Sequence, residues 1–574
     1  MYSSGTCSRA PDYRSPHPSG TVGNDDSSNS ELEVRLLKWI IDTDQSPSVV
    51  ATPEFRNVLN AVSFGHIPDP ETIGHGIRSM AEKLIGDQKE ALQALGNVPT
   101  LSVDFWAPRA EINHRTTFVT VTIPYAQGQN GMSISPMEQR LLNFCEVNAD
   151  VASMADAVLQ TLKMYGLEDK TVYYLLDNDP ENDLVIKELQ RYQTRGRALV
   201  NLRNSRLRCG RHTIYQAAHQ FTQVFNRDSR DKPNLAGRLD SRSPTSDTSD
   251  GDIAVAINKL RGIIAHIKSR PVEEWKETIK DASVPDLSTK TTRGLLFDKD
   301  PERQGVFATS KMMHTALHYR SALELYVSSR EELRTQEMSA AEWDSVHLAA
   351  TCLALFVSEL RQTDFGSRLP TSGSPGATWA LFQSLRIQRS LATWVVGAIA
   401  KAPHPSLETA LRQCHKALMR HHFGLSSPPV YAWTSILDPC MKVHAYGLLT
   451  GASSREELER TRNDWGSLEE RIFHEYFSES LQKVITARQE LHNYARLPLE
   501  PTECDAIGWW KEHSSQFPLL APLALKILAI PGALTATSHT YSLFRKTAHF
   551  RRENRELGAQ TMLSAIALLK EASC

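Results

Sequence analysis

The chain contains 574 residues, of which 41% are hydrophobic and 23% are charged. This length and composition are typical of a folded protein with several domains. The 64 Lys and Arg residues nearly balance the 66 Asp and Glu residues, which excludes a globally basic nucleic-acid binder but allows a local basic patch. Eight scattered cysteines form no CxxC pair, so we expect a reduced, intracellular protein without a CxxC-type zinc finger.

Residues 1–30 are polar and rich in Ser, Pro and Gly, a composition that predicts a disordered tail without a secretory signal. The most apolar long stretch is Phe517–Leu534, which contains three prolines and Lys526. This pattern favours a buried helix and its flanks over a membrane span. We therefore expect no association with a membrane.

Three segments rich in β-branched and aromatic residues predict strands at Thr100–Trp106, Thr116–Tyr125 and Thr171–Asp177. The apolar residues of Met154–Gly166 recur at helical spacing. The resulting order of strand, strand, helix, strand and helix predicts an α/β domain over residues 31–225.

Residues 226–252 are polar and predict a linker, and residues 253–500 are helical in pattern, with Ile253–Ile267 and Glu342–Gln362 as the clearest amphipathic examples. Within this part, Leu437–Lys442 reads as a strand end and a turn, with Asp438 before a proline. Residues 501–574 form a C-terminal segment with a last helix at Thr561–Ala572.

Two aspartates occupy positions that favour chemistry. Asp104 lies inside the apolar strand SVDFW, and Asp177 ends the strand YYLLD. A carboxylate in such a position is costly to bury unless it is paired or bound to a metal. On adjacent strands the two could bind Mg²⁺ or Mn²⁺; alternatively, each caps a strand or a turn.

The stretch RLRCGRH supplies Cys209 and His212, but structural zinc needs four protein ligands, so we expect no zinc. Two arginine clusters are candidate phosphate-binding surfaces, or else solvated faces with local salt bridges. The first holds seven arginines between Arg191 and His212 without an acid, including Arg208 and Arg211, and the second includes Arg551 and Arg552.

Taken in chain order, these motifs resemble the hAT superfamily of DNA transposases, the hobo and Activator type, over about residues 36–569. SVDFWAP resembles the family's Asp-x-Trp strand and implies that Asp104 is the first catalytic carboxylate. LLDNDPEND resembles its Asp-Asn motif and implies Asp177 as the second, with Asn178 beside it. RCGRH resembles its Arg-Cys-x-x-His motif, with Cys209 and His212.

The chain departs from the family pattern at three places. In IPGALTATSHTYS, Ser538 falls at the position of the family's third catalytic acid, a glutamate. Phe307 stands where the family has a tryptophan that supports a hairpin intermediate. The sequence shows no N-terminal BED-type zinc finger. Glu553 or Glu556 could replace the missing acid.

The resemblance implies an α/β plus α architecture: an RNase H-like domain, interrupted by a large all-α insertion and completed by a returning C-terminal helix that begins in IPGALTATSHTYS. It also implies self-association through the C-terminal segment, DNA as a partner, and a location in the nucleus. We expect a transposase-derived protein with impaired catalysis that retains DNA binding, protein binding or both as a regulator or scaffold. The alternative is an active transposase in which a displaced acid completes a Mg²⁺ or Mn²⁺ site.

Overall fold

The structure is a computed structural model and forms two compact units, residues 1–84 with 546–574, and residues 85–545. The residues that it describes are 26–43, 45, 47–62, 68–94, 100–106, 116–125, 138–168, 172–193, 205–226, 250–283, 305–362, 380–420, 429–442, 480–501, 504–534 and 564–569. Elements are numbered over these residues. None of the described helices is long and apolar enough to cross a membrane.

The first unit is helical and contains α1 (Asp26–Thr43), α2 (Pro53–Val62) and most of α3 (Pro70–Ala94). α1 begins inside the segment predicted as a tail. Its buried face carries Leu36, Leu37, Ile40 and Ile41, at the spacing of one helix side. A Cβ atom at Gly76 would lie 2.8 Å from Leu37 Cδ1, so the glycine allows α3 to approach α1 closely. Residues 564–569 are also helical and largely buried.

The second unit is built on a five-stranded mixed sheet of order β3-β2-β1-β4-β5. The first three strands are antiparallel, and β4 and β5 run parallel to β1. The strands are β1 (Thr100–Trp106), β2 (Thr116–Tyr125), β3 (Glu138–Asn148), β4 (Tyr173–Leu176) and β5 (Arg206–Arg208). β1 and β2 coincide with the prediction, β4 is shorter, and β3 and β5 were not predicted.

Alternation along the strands divides the sheet into two faces with separate cores. One face carries Leu101, Val103 and Tyr174 and packs against α4 (Val151–Tyr165) and α5 (Pro180–Gln193). The other face carries Tyr173, Leu175 and Leu207, which share a core with helices from the C-terminal half of the unit. The face with Leu175 is therefore the one that meets the C-terminal part of the chain.

A large helical core follows the sheet and begins with the helix after β5. The predicted helices at Ile253–Ile267 and Glu342–Gln362 lie within the second and sixth members of this group. Its members are α6 (Gly210–Gln223), α7 (Ile253–Ser269), α8 (Val272–Asp281), α9 (Val306–His318), α10 (Arg320–Ser328), α11 (Ala340–Gln362), α12 (Leu381–Ile399) and α13 (Pro405–Met419).

The remaining described helices form the core beneath β4 and β5 and surround the buried indole of Trp510. The buried carboxylate of Glu490 accepts hydrogen bonds from the amides of Leu519 (3.0 Å) and Leu520 (2.8 Å), which satisfies two unpaired donors at a helix start. The helices are α14 (Pro429–Leu437), α15 (Leu481–Arg496), α16 (Ala506–Glu512) and α17 (Leu520–Leu528).

Two local predictions in this region differ from the structure over the described residues. Leu437 ends a helix and not a strand. The helix predicted to begin in IPGALTATSHTYS does not start within residues 530–534, and residues 535–542 lie outside the described residues. Pro531 forms an antiparallel bridge with Ala380, and the Leu381 amide donates to Ile530 O at 2.7 Å. Pairing with the start of α12 therefore holds this segment in an extended course.

Candidate functional site

The pairing of β1 with β4 places the two predicted aspartates side by side. The parallel register runs from Thr100 opposite Tyr173 to Ser102 opposite Leu175. Asp104 and Asp177 each lie two residues beyond that last pair, so strand alternation directs both toward the face of Leu175. Neighbouring strands are about 4.8 Å apart, a separation at which two carboxylates can share ligands.

Three neighbouring groups hold Asp177 immediately after β4. The Asp179 amide donates to Asp177 Oδ1 at 3.0 Å, and the side-chain amide of Asn182 donates to the same oxygen. The guanidinium of Arg206 donates to the Asp177 carbonyl at 2.5 Å. The turn into α5 therefore fixes both the backbone and the carboxylate of this residue.

Cys209 links three parts of the chain at this edge of the sheet. Its amide donates to Leu176 O at 3.0 Å, and the next amide, of Gly210, donates to Gly532 O at 2.7 Å. Its Sγ accepts a hydrogen bond from the Leu534 amide at 3.3 Å. Cys209 is the residue that precedes α6, so this helix starts where β4, β5 and the 530–534 segment meet.

His212, in the first turn of α6, lies within the electrostatic reach of both aspartates. Burial is the largest influence and lowers the pKa of its imidazole, but attraction to Cys209, and then to Asp177 and Asp104, raises the pKa to about 9. Burial raises the pKa of the Cys209 thiol most strongly, whereas His212 and the Leu534 amide together bring it below its usual value. Electrostatic attraction therefore links His212 to Cys209 and to the two aspartates.

Asn178 is buried, and its side-chain amide donates to Thr213 Oγ1 at 2.8 Å. Among the described residues, its carbonyl oxygen has no hydrogen-bond partner, and neither does the nearby buried Nδ1 of His212. Buried polar atoms are normally satisfied, so unpaired ones indicate a place for water or another ligand. The side chains around Asp177 are thus polar, and two of their buried atoms have no hydrogen-bond partner among the described residues.

The donor set suits a hard divalent cation. Mg²⁺ is commonly held by one or two carboxylates, with water and phosphate oxygens completing its shell, and Asp104 and Asp177 supply that number. Within the described ranges, no group of three or more His, Cys, Asp or Glu side chains could hold a metal ion. The absence of zinc remains a prediction.

The sequence predicted a phosphate-binding role for the arginines beside the site, but two of them bind a carboxylate of the chain itself. Arg208, predicted to contact DNA, donates to both oxygens of Asp183 at 2.8 and 3.1 Å. Arg206 donates to the same carboxylate at 3.2 Å. Asn182, Asp183 and Arg206 were missed as contributors to the site, although they lie in the stretches DNDPEND and RLRCGRH that carry the predicted residues. Arg211 lies on α6 and is partly exposed.

The other predicted residues are not brought together with this group by the described structure. Phe307 lies in the first turn of α9, and its exposure is 37%. Ser538, Arg551, Arg552, Glu553 and Glu556 lie outside the described residues. Leu534, bonded to Cys209, is the last described residue before Ser538.

Comparison with known proteins gives one family match and three similar proteins. The profile of the hAT family C-terminal dimerisation region matches residues 490–569. The zinc finger BED domain-containing proteins RICESLEEPER 1 and RICESLEEPER 2 of Oryza sativa subsp. japonica are each 22% identical, over 88% of this chain and 69% of theirs. A putative AC transposase of Zea mays is 23% identical, over 50% of this chain and 38% of its own. The chain is therefore similar to a putative transposase and to BED-type proteins, and its residues 490–569 match the C-terminal dimerisation region of the hAT family.

Proposed function

We propose that this chain is a nuclear, transposase-derived protein that self-associates, binds DNA and retains a two-carboxylate metal site, but cleaves DNA poorly. The single observation that carries the proposal is the equivalent placement of Asp104 on β1 and Asp177 immediately after β4, two residues beyond the last pair of the parallel register. Self-association is supported by the match of residues 490–569 to the dimerisation region. DNA as the partner is supported by the similarity to the putative AC transposase of Zea mays.

An RNase H-like core is part of the proposal. The mixed sheet of order β3-β2-β1-β4-β5 supports it, because this order places an acid of β1 beside one that follows β4. The helices between α6 and the 530–534 segment correspond to an insertion, since that segment returns to the start of α6 through the bond from Gly210 to Gly532.

Asp104 and Asp177 would hold Mg²⁺ or Mn²⁺. When bound, such an ion supplies Lewis-acid activation of a phosphodiester. The chain's own groups orient the site, because the Asp179 amide and the Asn182 side chain fix the Asp177 carboxylate.

Asp177→Asn should weaken Mn²⁺ binding by about a hundredfold, because the affinity of a hard cation depends on the charge of its oxygen ligands. Isothermal titration calorimetry on the purified chain measures the effect. Asp156→Asn is the matched control, since Asp156 is an exposed aspartate on α4. Equal Mn²⁺ affinity in the unmodified chain and Asp177→Asn would overturn the proposed metal site.

Ser538→Glu should tighten Mn²⁺ binding by about tenfold or more, because it adds a carboxylate where the family has one. Ser538 is four residues after Leu534 in the sequence, a stretch that spans at most about 14 Å, so a position near the acids is within reach. The unmodified chain should nick duplex DNA about 10⁴-fold more slowly than an enzyme with a complete acid set.

Calorimetry and a supercoiled-plasmid nicking assay test this second expectation. Rapid Mn²⁺-dependent nicking by the unmodified chain would favour the alternative, an active transposase with a displaced acid. Glu553→Gln and Glu556→Gln would then identify which of the two glutamates replaces it.

A further inference from the structure

Asn182 lies in the first turn of α5 with only 7% of its surface exposed. Its side-chain amide donates to Asp177 Oδ1, the same oxygen that accepts from the Asp179 amide. Two donors on one oxygen fix the rotation of a carboxylate about its last bond. The other oxygen, Oδ2, is then the one held ready for a ligand.

The backbone on either side of Asn182 is fixed as well, so its amide acts from a rigid base. The Asn182 amide N–H donates to Asp179 O at 3.2 Å. The next residue, Asp183, forms ion pairs with Arg206 (3.2 Å) and Arg208 (2.8 Å) of β5. Arg206 in turn donates to the carbonyl of Asp177. The start of α5, the end of β4 and β5 are thereby connected around one carboxylate.

We infer that Asn182 is a positioning residue for Asp177, orienting its carboxylate so that Oδ2 binds the divalent cation. The inference rests on the proposed metal site and extends it to a residue that supplies no metal ligand itself. Groups that orient a metal-binding side chain commonly contribute 10- to 100-fold to affinity.

The test is a calorimetric Mn²⁺ titration of the unmodified chain, Asn182→Leu and Asn182→Gln. Leucine has the branching and the number of side-chain heavy atoms of asparagine but no donor, so Mn²⁺ affinity should fall about tenfold or more, whereas glutamine should restore part of it. The matched control is Asn143→Leu, which removes another buried amide, one that donates to Thr161 Oγ1 at 2.8 Å on the β3–α4 side of the sheet. This control should lower the thermal unfolding midpoint and leave Mn²⁺ affinity unchanged.

The outcomes separate the inference from the proposed function. If Asp177→Asn weakens Mn²⁺ binding but Asn182→Leu binds as tightly as the unmodified chain, the role of Asn182 is wrong and the metal site stands. If Asn143→Leu weakens binding as much as Asn182→Leu, the effect is general destabilisation and the inference also fails. If the unmodified chain binds no Mn²⁺, both the metal site and the inference are overturned.

Discussion

Gly532→Ala should destabilise the second unit by about 1–3 kcal/mol, the usual cost of overpacking a close contact. A Cβ atom at this position would lie 2.7 Å from Leu381 Cα, 2.9 Å from Ala380 O and 2.9 Å from Ser384 Cβ. Two of these atoms belong to the backbone and cannot rotate away. The segment would have to move from α12, which strains the bond from the Leu381 amide to Ile530 O.

The measurement is the midpoint of thermal unfolding, followed by circular dichroism. Gly397→Ala is the matched control, because a Cβ atom there meets no heavy atom within 4 Å. In a helix such as α12, this change should stabilise by about 0.5–1 kcal/mol. Equal midpoints for Gly532→Ala and the unmodified chain would show that the close approach of the segment to α12 is not required.

The importance of Gly532 shows where sequence reasoning reached its limit. Ile530-Pro531 followed by small residues is compatible with a helix start, and that was the prediction. The extended course of residues 530–534 depends on pairing with Ala380, about 150 residues earlier in the sequence. The intrinsic secondary-structure propensity of residues 530–534 cannot reveal a pairing partner that is so distant in the sequence.

The sheet was predictable where its strands have a strong pattern of their own. β1 and β2 alternate clearly and are rich in β-branched and aromatic residues. β3 reads EQRLLNFCEVN, whose charged and amide residues obscure the alternation, and β5 has only three residues. The neighbours of these two strands, and not their own propensity, decide that they form.

The acidic pair was predictable because an aspartate within or after an apolar strand is unusual. The groups that hold Asp177 in place were not predictable, because they act through contacts between different helices and strands. The sequence shows arginines around Arg208 without a nearby acid, and this favoured phosphate binding. Folding brings Asp183 of α5 to them, so two of these arginines fix the site from within the chain.

The second large effect is expected at the buried ion pair between Arg386 of α12 and Asp438, just after α14. The Asp438 carboxylate has no exposed surface and binds Nε and Nη2 of the guanidinium at 2.6 and 2.5 Å. Asp438→Ala should destabilise the second unit by about 3–5 kcal/mol, because it leaves a partly buried arginine without its counter-charge. Arg386 also donates to Cys504 O at 2.9 Å, so the loss should extend to the chain entering α16.

Amide hydrogen exchange distinguishes this effect from uniform destabilisation. In Asp438→Ala, the amides of α16 and α17 should exchange faster than those of α4, which packs in a different core. Glu408→Ala is the matched control: it breaks the exposed pair with Arg412 at 2.7 Å, and such pairs contribute only about 0.3–0.5 kcal/mol. Replacing both Arg386 and Asp438 by leucine should recover part of the lost stability, because no uncompensated charge remains. If Asp438→Ala unfolds at the same temperature as Glu408→Ala, the ion pair between Arg386 and Asp438 does not hold α16 and α17 in place.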